Sequence, residues 1–266
     1  MSRYDAMFER LAVKKEGAFI PFVVLGDPNV ETSLQIIQTL IDAGADALEL
    51  GLAFSDPVAD GPVIQRADMR VLAGGVKTAD ALQIIKNVRK KNADIPIGIL
   101  TYANLVVNKG VDAFYAALQK AGVDSLLIAD APTFEVTPFL MSARKHGIDQ
   151  VMIVPPNIDD DRLAFIAKES SGYAYVVTRS GVTGADSSLS LSSQEVFAKL
   201  KKLNAPPGIY GFGISKPEHV KQAISAGAAG AISGSALTSI IEKNLGSNAL
   251  LSQASQFVRE MKAATR

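Results

Sequence analysis

The stretch ALELGLAFSDPVADGPVIQ, residues 47–65, carries three carboxylates, Glu49, Asp56 and Asp60, and no lysine or arginine before Arg66 follows them. A carboxylate at the end of an apolar run needs a cation, a metal or a substrate to offset its burial. Alternation along an extended chain puts Ala47 and Glu49 on one face and Leu48 and Leu50 on the other, so Glu49 is expected to point inward over small neighbours. Asp56 before Pro57 and Asp60 before Gly61 are also common turn spellings, and for Asp56 the turn reading is preferred. Two later loops suit an anion: GFGIS, residues 211–215, leads into a helix opening SKPEHV, and SGSAL, residues 233–237, opens another. Glycine lets the backbone come close, and free N–H groups at a helix start favour a phosphate. A third stretch, SGVTGADSS from Ser180, has the small-residue composition of a lid, with Gly184 within reach of the same anion.

Absences narrow the chemistry. There is no cysteine, which removes disulfides, thiolate nucleophiles and cysteine metal sites and agrees with a reducing cytoplasm. His146 and His219 fall in helical contexts away from strand ends, which argues against a histidine metal site. No lysine ends a strand, so a Schiff-base nucleophile is missing. The 27 basic and 27 acidic residues cancel without a basic stripe, which disfavours nucleic acid as partner. No apolar run approaches the length of a membrane span, and the start, MSRYDAMFERLAVKKEG, is a charged amphipathic helix pattern rather than a signal peptide. What remains is carboxylate acid–base work on a phosphorylated substrate, with neither metal nor cofactor in this chain.

Such residues must be held by a frame, and the frame is repetitive. Short apolar runs begin at Ala18, Asp46, Ile95, Asp124, Gln150, Tyr173, Gly208 and Ala229, with helical patterns such as SLQIIQTLIDAG between them. The runs are not strictly alternating, as suits parallel strands covered on both faces. Gly44, Gly122 and Gly227 stand where helices should end and turn back into strands. This predicts an α/β protein, one closed (β/α)₈ TIM barrel over residues 1–266 with an extra N-terminal helix, in preference to an open doubly wound sheet. Pro21, inside the first strand, fits poorly. In such a barrel the chemistry lies at the C-terminal ends of the strands, where Glu49 and the two glycine loops fall.

Six segments, PFVVLGDPNVETS, DALELG with FSDPVADGP, TYANLVVNKG, TRSGVTG, GFGIS and AGAAGAISGSAL, run in order from residue 21 to 237 and resemble the successive motifs of the tryptophan synthase alpha chain family. The resemblance implies a barrel that cleaves indole-3-glycerol phosphate to indole and glyceraldehyde 3-phosphate. It also implies an α2β2 heterotetramer with a PLP-dependent beta chain that receives the indole. By motif match, Glu49 would exchange protons with the glycerol hydroxyl and indole C3, and Asp60 would take the indole N–H. Gly184, Gly213, Gly234 and Ser235 would hold the phosphate. The indole pocket would be formed by Phe22, Leu100, Leu127 and Ala129 with Ile153, Tyr175, Phe212 and Ile232; the alternative for these apolar residues is plain core packing, and Tyr175 and Phe22 are the better candidates for ligand contact. Thr183 would be the lid residue closing on Asp60, and Asp56, Asn104, Asn108 and Pro132 would face the beta chain. Other phosphate-binding barrels of aromatic amino-acid synthesis share the phosphate loops, but they call for a catalytic Cys, Lys or differently placed Asp.

The family usually reads Gly-Ile-Pro-Phe-Ser-Asp-Pro-Leu-Ala-Asp through the loop, whereas this chain has Leu52, Ala53 and Val58. Proline fixes φ, so Ala53 leaves the loop that carries Asp60 looser in the free protein. Ala53→Pro is therefore expected to raise cleavage of indole-3-glycerol phosphate and to strengthen the response to a beta chain. Equal rates and equal responses in the two proteins would remove the idea.

Overall fold

The computed structural model of the chain describes residues 1–177 and 192–266. Its strands are β1 Ala18–Val24, β2 Leu48–Gly51, β3 Ile97–Thr101, β4 Ser125–Ile128, β5 Asp149–Val154, β6 Ala174–Val177, β7 Gly208–Gly211 and β8 Gly230–Ser233. They form a closed barrel in chain order, every neighbouring pair parallel, with β8 returning to β1 from Ala18–Gly230 to Pro21–Ser233. Helices lie between successive strands, which makes this the (β/α)₈ barrel that the sequence pattern predicts.

The two faces of each strand go to two separate cores. Phe19 and Val23 of β1, Leu48 and Leu50 of β2, and Ile97 and Ile99 of β3 pack outward against helix residues such as Ile36 and Leu40. Ile20, Phe22, Ala47, Leu127, Tyr175 and Ile232 pack inward. Burial on both sides is the reason the strands read as short apolar runs without polar alternation. The N-terminal helix Arg3–Lys14 is fixed by a capping box, in which Ser2 and Asp5 satisfy each other's backbone N–H. Its Tyr4, Met7 and Leu11 join the inner core and fill the N-terminal end of the barrel.

Pro21 is tolerated for a local reason. Ala18 N–H donates to Ala229 and Leu25 N–H to Gly51, so even residues of β1 face β8 and odd residues face β2. Pro21 faces β2 one residue before that ladder begins at Phe22–Glu49, where a missing N–H breaks no rung. Gly44, Gly122 and Gly227 all take positive φ at the helix-to-strand returns. Among the described residues no helix is long and apolar enough to cross a membrane.

A charged seam ties the first, second and last βα units together. Arg70, on the helix Pro62–Ala73, makes two 2.8 Å bonds to Asp27 beyond β1 and a 2.9 Å bond to Glu242 on the helix Ser235–Lys243. Arg66 grips the same Glu242 through two 2.7 Å bonds. Asp27 is only 3% exposed, so removing its cation strands a buried charge. Arg70→Met is expected to cost roughly 3 kcal/mol, as for other broken buried pairs, read as a lower urea midpoint. An unchanged midpoint would show that the seam contributes nothing.

Candidate active site

The C-terminal mouth of the barrel encloses a cavity of about 730 Å³, counting the space at its opening. Glu49 enters it from β2, Leu100 from β3, Leu127 and Ala129 from the end of β4, and Ile153 from β5. Tyr175 of β6, Ile232 of β8 and Phe22 of β1 complete the inner wall, and Phe212 stands just beyond β7. Asp60 reaches the same space from the loop after β2.

That loop is shaped by Tyr102, at the end of β3. The Tyr102 ring stacks on Phe54, with centroids 5.2 Å apart. Its hydroxyl accepts from Ala59 N–H at 3.1 Å and donates to Asp60 Oδ2 at 2.6 Å. Gln65 adds a 2.6 Å bond to the Asp60 carbonyl. Ala53 packs against the inner core, and among the described residues its N–H donates no hydrogen bond, so a proline there would forfeit none.

Glu49 is 1% exposed, and Tyr173 donates to its Oε1 at 2.9 Å. Burial pushes its carboxyl up to about 7; the Tyr173 bond pulls the other way, and the nearby Asp60 charge adds to the rise. Asp60, 7% exposed, is also raised by burial, with the Tyr102 bond opposing. Neither has a cationic partner among the described residues. The expectation of small neighbours under Glu49 is wrong in part: Ala47 and Gly98 are small, but Tyr173 and Tyr4 share the interior, Tyr4 bonded to Ser125 at 2.9 Å. A Cβ on Gly98 would lie 2.7 Å from Ser125 Oγ and 3.0 Å from Tyr4 Oη, so glycine leaves room for that pair. Behind Asp60 lies a third buried carboxyl, Asp68. Burial, then the charges of Asp60 and Asp27, push it up to about 8, with Phe54 N–H opposing.

The far side of the cavity is lined by backbone. Phe212 and Gly213 both take positive φ, +69° and +74°, which bends the chain sharply beyond β7. For an aromatic residue that conformation is strained, and such strain collects at functional sites. Ser233 Oγ donates to the Ile214 carbonyl at 2.5 Å and ties the bend to β8. Gly213, Ile214 and Ser215 then face Gly234, Ser235 and Ala236 around one end of the cavity. The helix Ser235–Lys243 starts here without a side-chain hydrogen bond at its cap, and its first residues Ser235 and Ala236 line the cavity, which leaves their N–H groups available to an anion; the helix Pro217–Ser225, which follows the bend, opens on a proline and offers no N–H at its first position. His219, expected to lie away from the strand ends, instead folds its ring back onto this bend, 2.9 Å from the Gly213 carbonyl.

The structure thus brings together Glu49, Asp60, the eight apolar positions, Gly213, Gly234 and Ser235. Gly184 and Thr183 lie outside the described residues. Asp56, Asn104, Asn108 and Pro132 are not among the cavity-lining residues but exposed on the loops beyond β2 and β4 and, for Asn104 and Asn108, on the short helix Ala103–Val107 beyond β3 and its end. Those loops are linked by Ala59–Tyr102 and by Ala103 N–H donating to Asp130 at 2.7 Å, and they carry exposed Val58, Val107 and Phe134. Tyr102, Tyr173, Asp68 and His219 were not singled out from the sequence as site residues. For the tyrosines a signal exists: Tyr102 follows a strand end inside TYANL, and Tyr173 shares strand parity with Tyr175.

Comparisons agree with this geometry. The family model described as tryptophan synthase alpha chain matches residues 8–266. The tryptophan synthase alpha chain of Escherichia coli O81 (strain ED1a) is 54% identical over 267 residues, covering 100% of both chains. A solved structure of Mycobacterium tuberculosis tryptophan synthase superposes with a TM-score of 0.90 at 30% identity, covering 100% of this chain and 98% of that one. The tryptophan synthase complex from Pyrococcus furiosus gives 0.82 at 33% identity over 92% of this chain and 98% of that one. With the family model spanning nearly its whole length and 54% identity to a full-length relative, this chain belongs to the tryptophan synthase alpha chain family, lyases of tryptophan biosynthesis.

Proposed function

We propose that the chain cleaves indole-3-glycerol phosphate to indole and glyceraldehyde 3-phosphate by acid–base catalysis that draws on no cofactor of its own. The observation that carries this is the pair Glu49 and Asp60: two buried carboxyls on one apolar cavity, without cations among the described residues, whose lining also includes the uncapped start of the helix Ser235–Lys243. Carbon–carbon cleavage needs an electron sink. Glu49, able to hold a proton near neutrality, delivers it to indole C3, and the ring becomes iminium-like. Asp60 accepts the ring N–H and stabilises the positive charge that develops. The glycerol hydroxyl then returns a proton to Glu49, the carbon–carbon bond breaks, and its electron pair restores the indole ring as the aldehyde leaves.

The phosphate lies against Gly213, Gly234 and Ser235, with Gly184 and the lid residue Thr183 added by the family motif. The eight apolar residues sandwich the indole. The exposed loops bearing Asp56, Asn104, Asn108 and Pro132 dock the PLP-dependent beta chain of an α2β2 assembly in the cytoplasm; the exposed apolar Val58, Val107 and Phe134 beside them support that reading.

The direct test is glyceraldehyde 3-phosphate release by the purified chain, alone and with a beta chain. A slow rate that rises with the partner is expected. Glu49→Gln should lower it by about 10³-fold and Asp60→Asn by roughly 10²-fold. No cleavage under either condition would overturn the assignment.

Burial of Glu49 also has a stability signature. Its folded carboxyl lies near 7, above the ordinary 4.5, so the folded state binds this proton more tightly than the unfolded chain does. That contribution is complete below the ordinary value and is lost as pH rises through the folded one. Glu49→Gln removes the loss, and at about pH 8 it should be more stable than the parent by on the order of 3 kcal/mol, with the two converging near pH 4. Urea unfolding at both pH values checks this; a variant equally stable at high pH would contradict the burial penalty.

A further inference from the structure

His219 occupies the third position of the helix Pro217–Ser225, where a Glu or Gln would close a capping box. Its ring instead reaches the bend beyond β7. Nδ1 stands 2.9 Å from the Gly213 carbonyl oxygen, 3.3 Å from Ser215 N and 3.4 Å from Ser215 Oγ. The carbonyl can only accept and the Ser215 N–H can only donate, so one ring nitrogen cannot satisfy both.

The position of the imidazole proton therefore selects between two states of the bend. With a proton on Nδ1, the ring donates to Gly213, and the Ser215 N–H and hydroxyl have no acceptor in the ring. With the proton on Nε2 alone, Nδ1 takes the Ser215 N–H, and the Gly213 carbonyl loses its donor. A peptide unit is planar, so holding the Gly213 carbonyl also fixes the opposed Ile214 N–H. Ser233 does the same for the next unit by holding the Ile214 carbonyl, which fixes the direction of the Ser215 N–H. Gly213, Ile214 and Ser215 all line the cavity.

We propose that His219 is a positioning residue for the anion end of the site: protonated at Nδ1, it locks the Gly213 carbonyl, so that the opposed Ile214 N–H is fixed for a phosphate monoester, and it leaves the Ser215 hydroxyl free of the ring to donate to the same group. This rests on the reading of the bend as the phosphate end of the active site.

The chain has two histidines, His146 and His219, so ¹⁵N-histidine labelling gives a resolvable spectrum, assigned with H219Q. On saturation with glycerol 3-phosphate, His219 Nδ1 should show the shift of a protonated nitrogen. H219A should raise KM for the phosphorylated substrate about tenfold, the value of one hydrogen bond, with kcat nearly unchanged. H219Q, whose amide can donate to Gly213, should recover most of that loss. An unprotonated Nδ1 in the saturated protein, or an unchanged KM in H219A, overturns the role of His219. If the unaltered protein does not prefer glycerol 3-phosphate to glycerol, the phosphate reading itself falls and takes the proposal with it. If it does prefer the ester and H219A binds it equally well, only His219 is misassigned. Should H219A fail to fold, the Nδ1 signal of the unaltered protein decides.

Discussion

Two carboxyls confined to an apolar cavity, without a counter-charge among the described residues, are the constraint around which the site is arranged. Such groups cannot both ionise cheaply, and the structure separates them by environment. Glu49 sits at depth, where burial holds its proton to about 7, and Asp60 lies at the rim on a loop. Each is steadied by one tyrosine hydroxyl, Tyr173 below and Tyr102 beside. Burial raises both carboxyls and favours their protonated forms, Glu49 as far as about 7, with each tyrosine bond opposing the rise. Asp68, buried behind the rim, adds a further reason for the cavity to hold protons rather than release them.

The anion end depends on a different economy, one of close approach. β1 stands between β2 and β8, so Phe22 touches both halves of the site: it pairs in register with Glu49, and a Cβ on Gly234 would come within 3.1 Å of its ring. Gly211 yields similarly to Tyr175, whose ring atoms would lie 2.3 Å from an added Cβ. The Tyr175 ring then meets Phe212 edge-on, at 6.1 Å and 90°. The strained Phe212 thus lines the ligand space, and the bend it makes brings Gly213, Ile214 and Ser215 onto the same cavity.

The strands were legible because a parallel barrel buries both faces, and this leaves short apolar runs punctuated by glycine at the helix returns. Glu49 could be placed by strand parity alone. Asp60 could not, since an Asp before Gly is an ordinary turn, and its role entered through the motif resemblance. Tyr173 and Tyr102 act through bonds to residues far away in the chain, Glu49 and Asp60, and local pattern carries no record of such pairs. The helical position of His219 locates its backbone away from the strand ends, whereas the ring reaches back to the bend beyond β7, a placement that sequence pattern does not record.

The last rung of the barrel has a consequence for how the protein comes to exist. β1 and β8 pair residues from opposite ends of the chain, Ala18 with Gly230. Contacts so distant in sequence form late, because the intervening loop entropy must be overcome before they return any stability. Glu49 belongs to the second unit, whereas Gly213 and Gly234 belong to the last two. A chain that has not yet closed its ring holds the carboxylates without the anion grip, and it is a collection of helices and strands with no place for substrate. The appearance of activity during refolding is therefore a clock for ring closure, and it starts only after most of the secondary structure has formed.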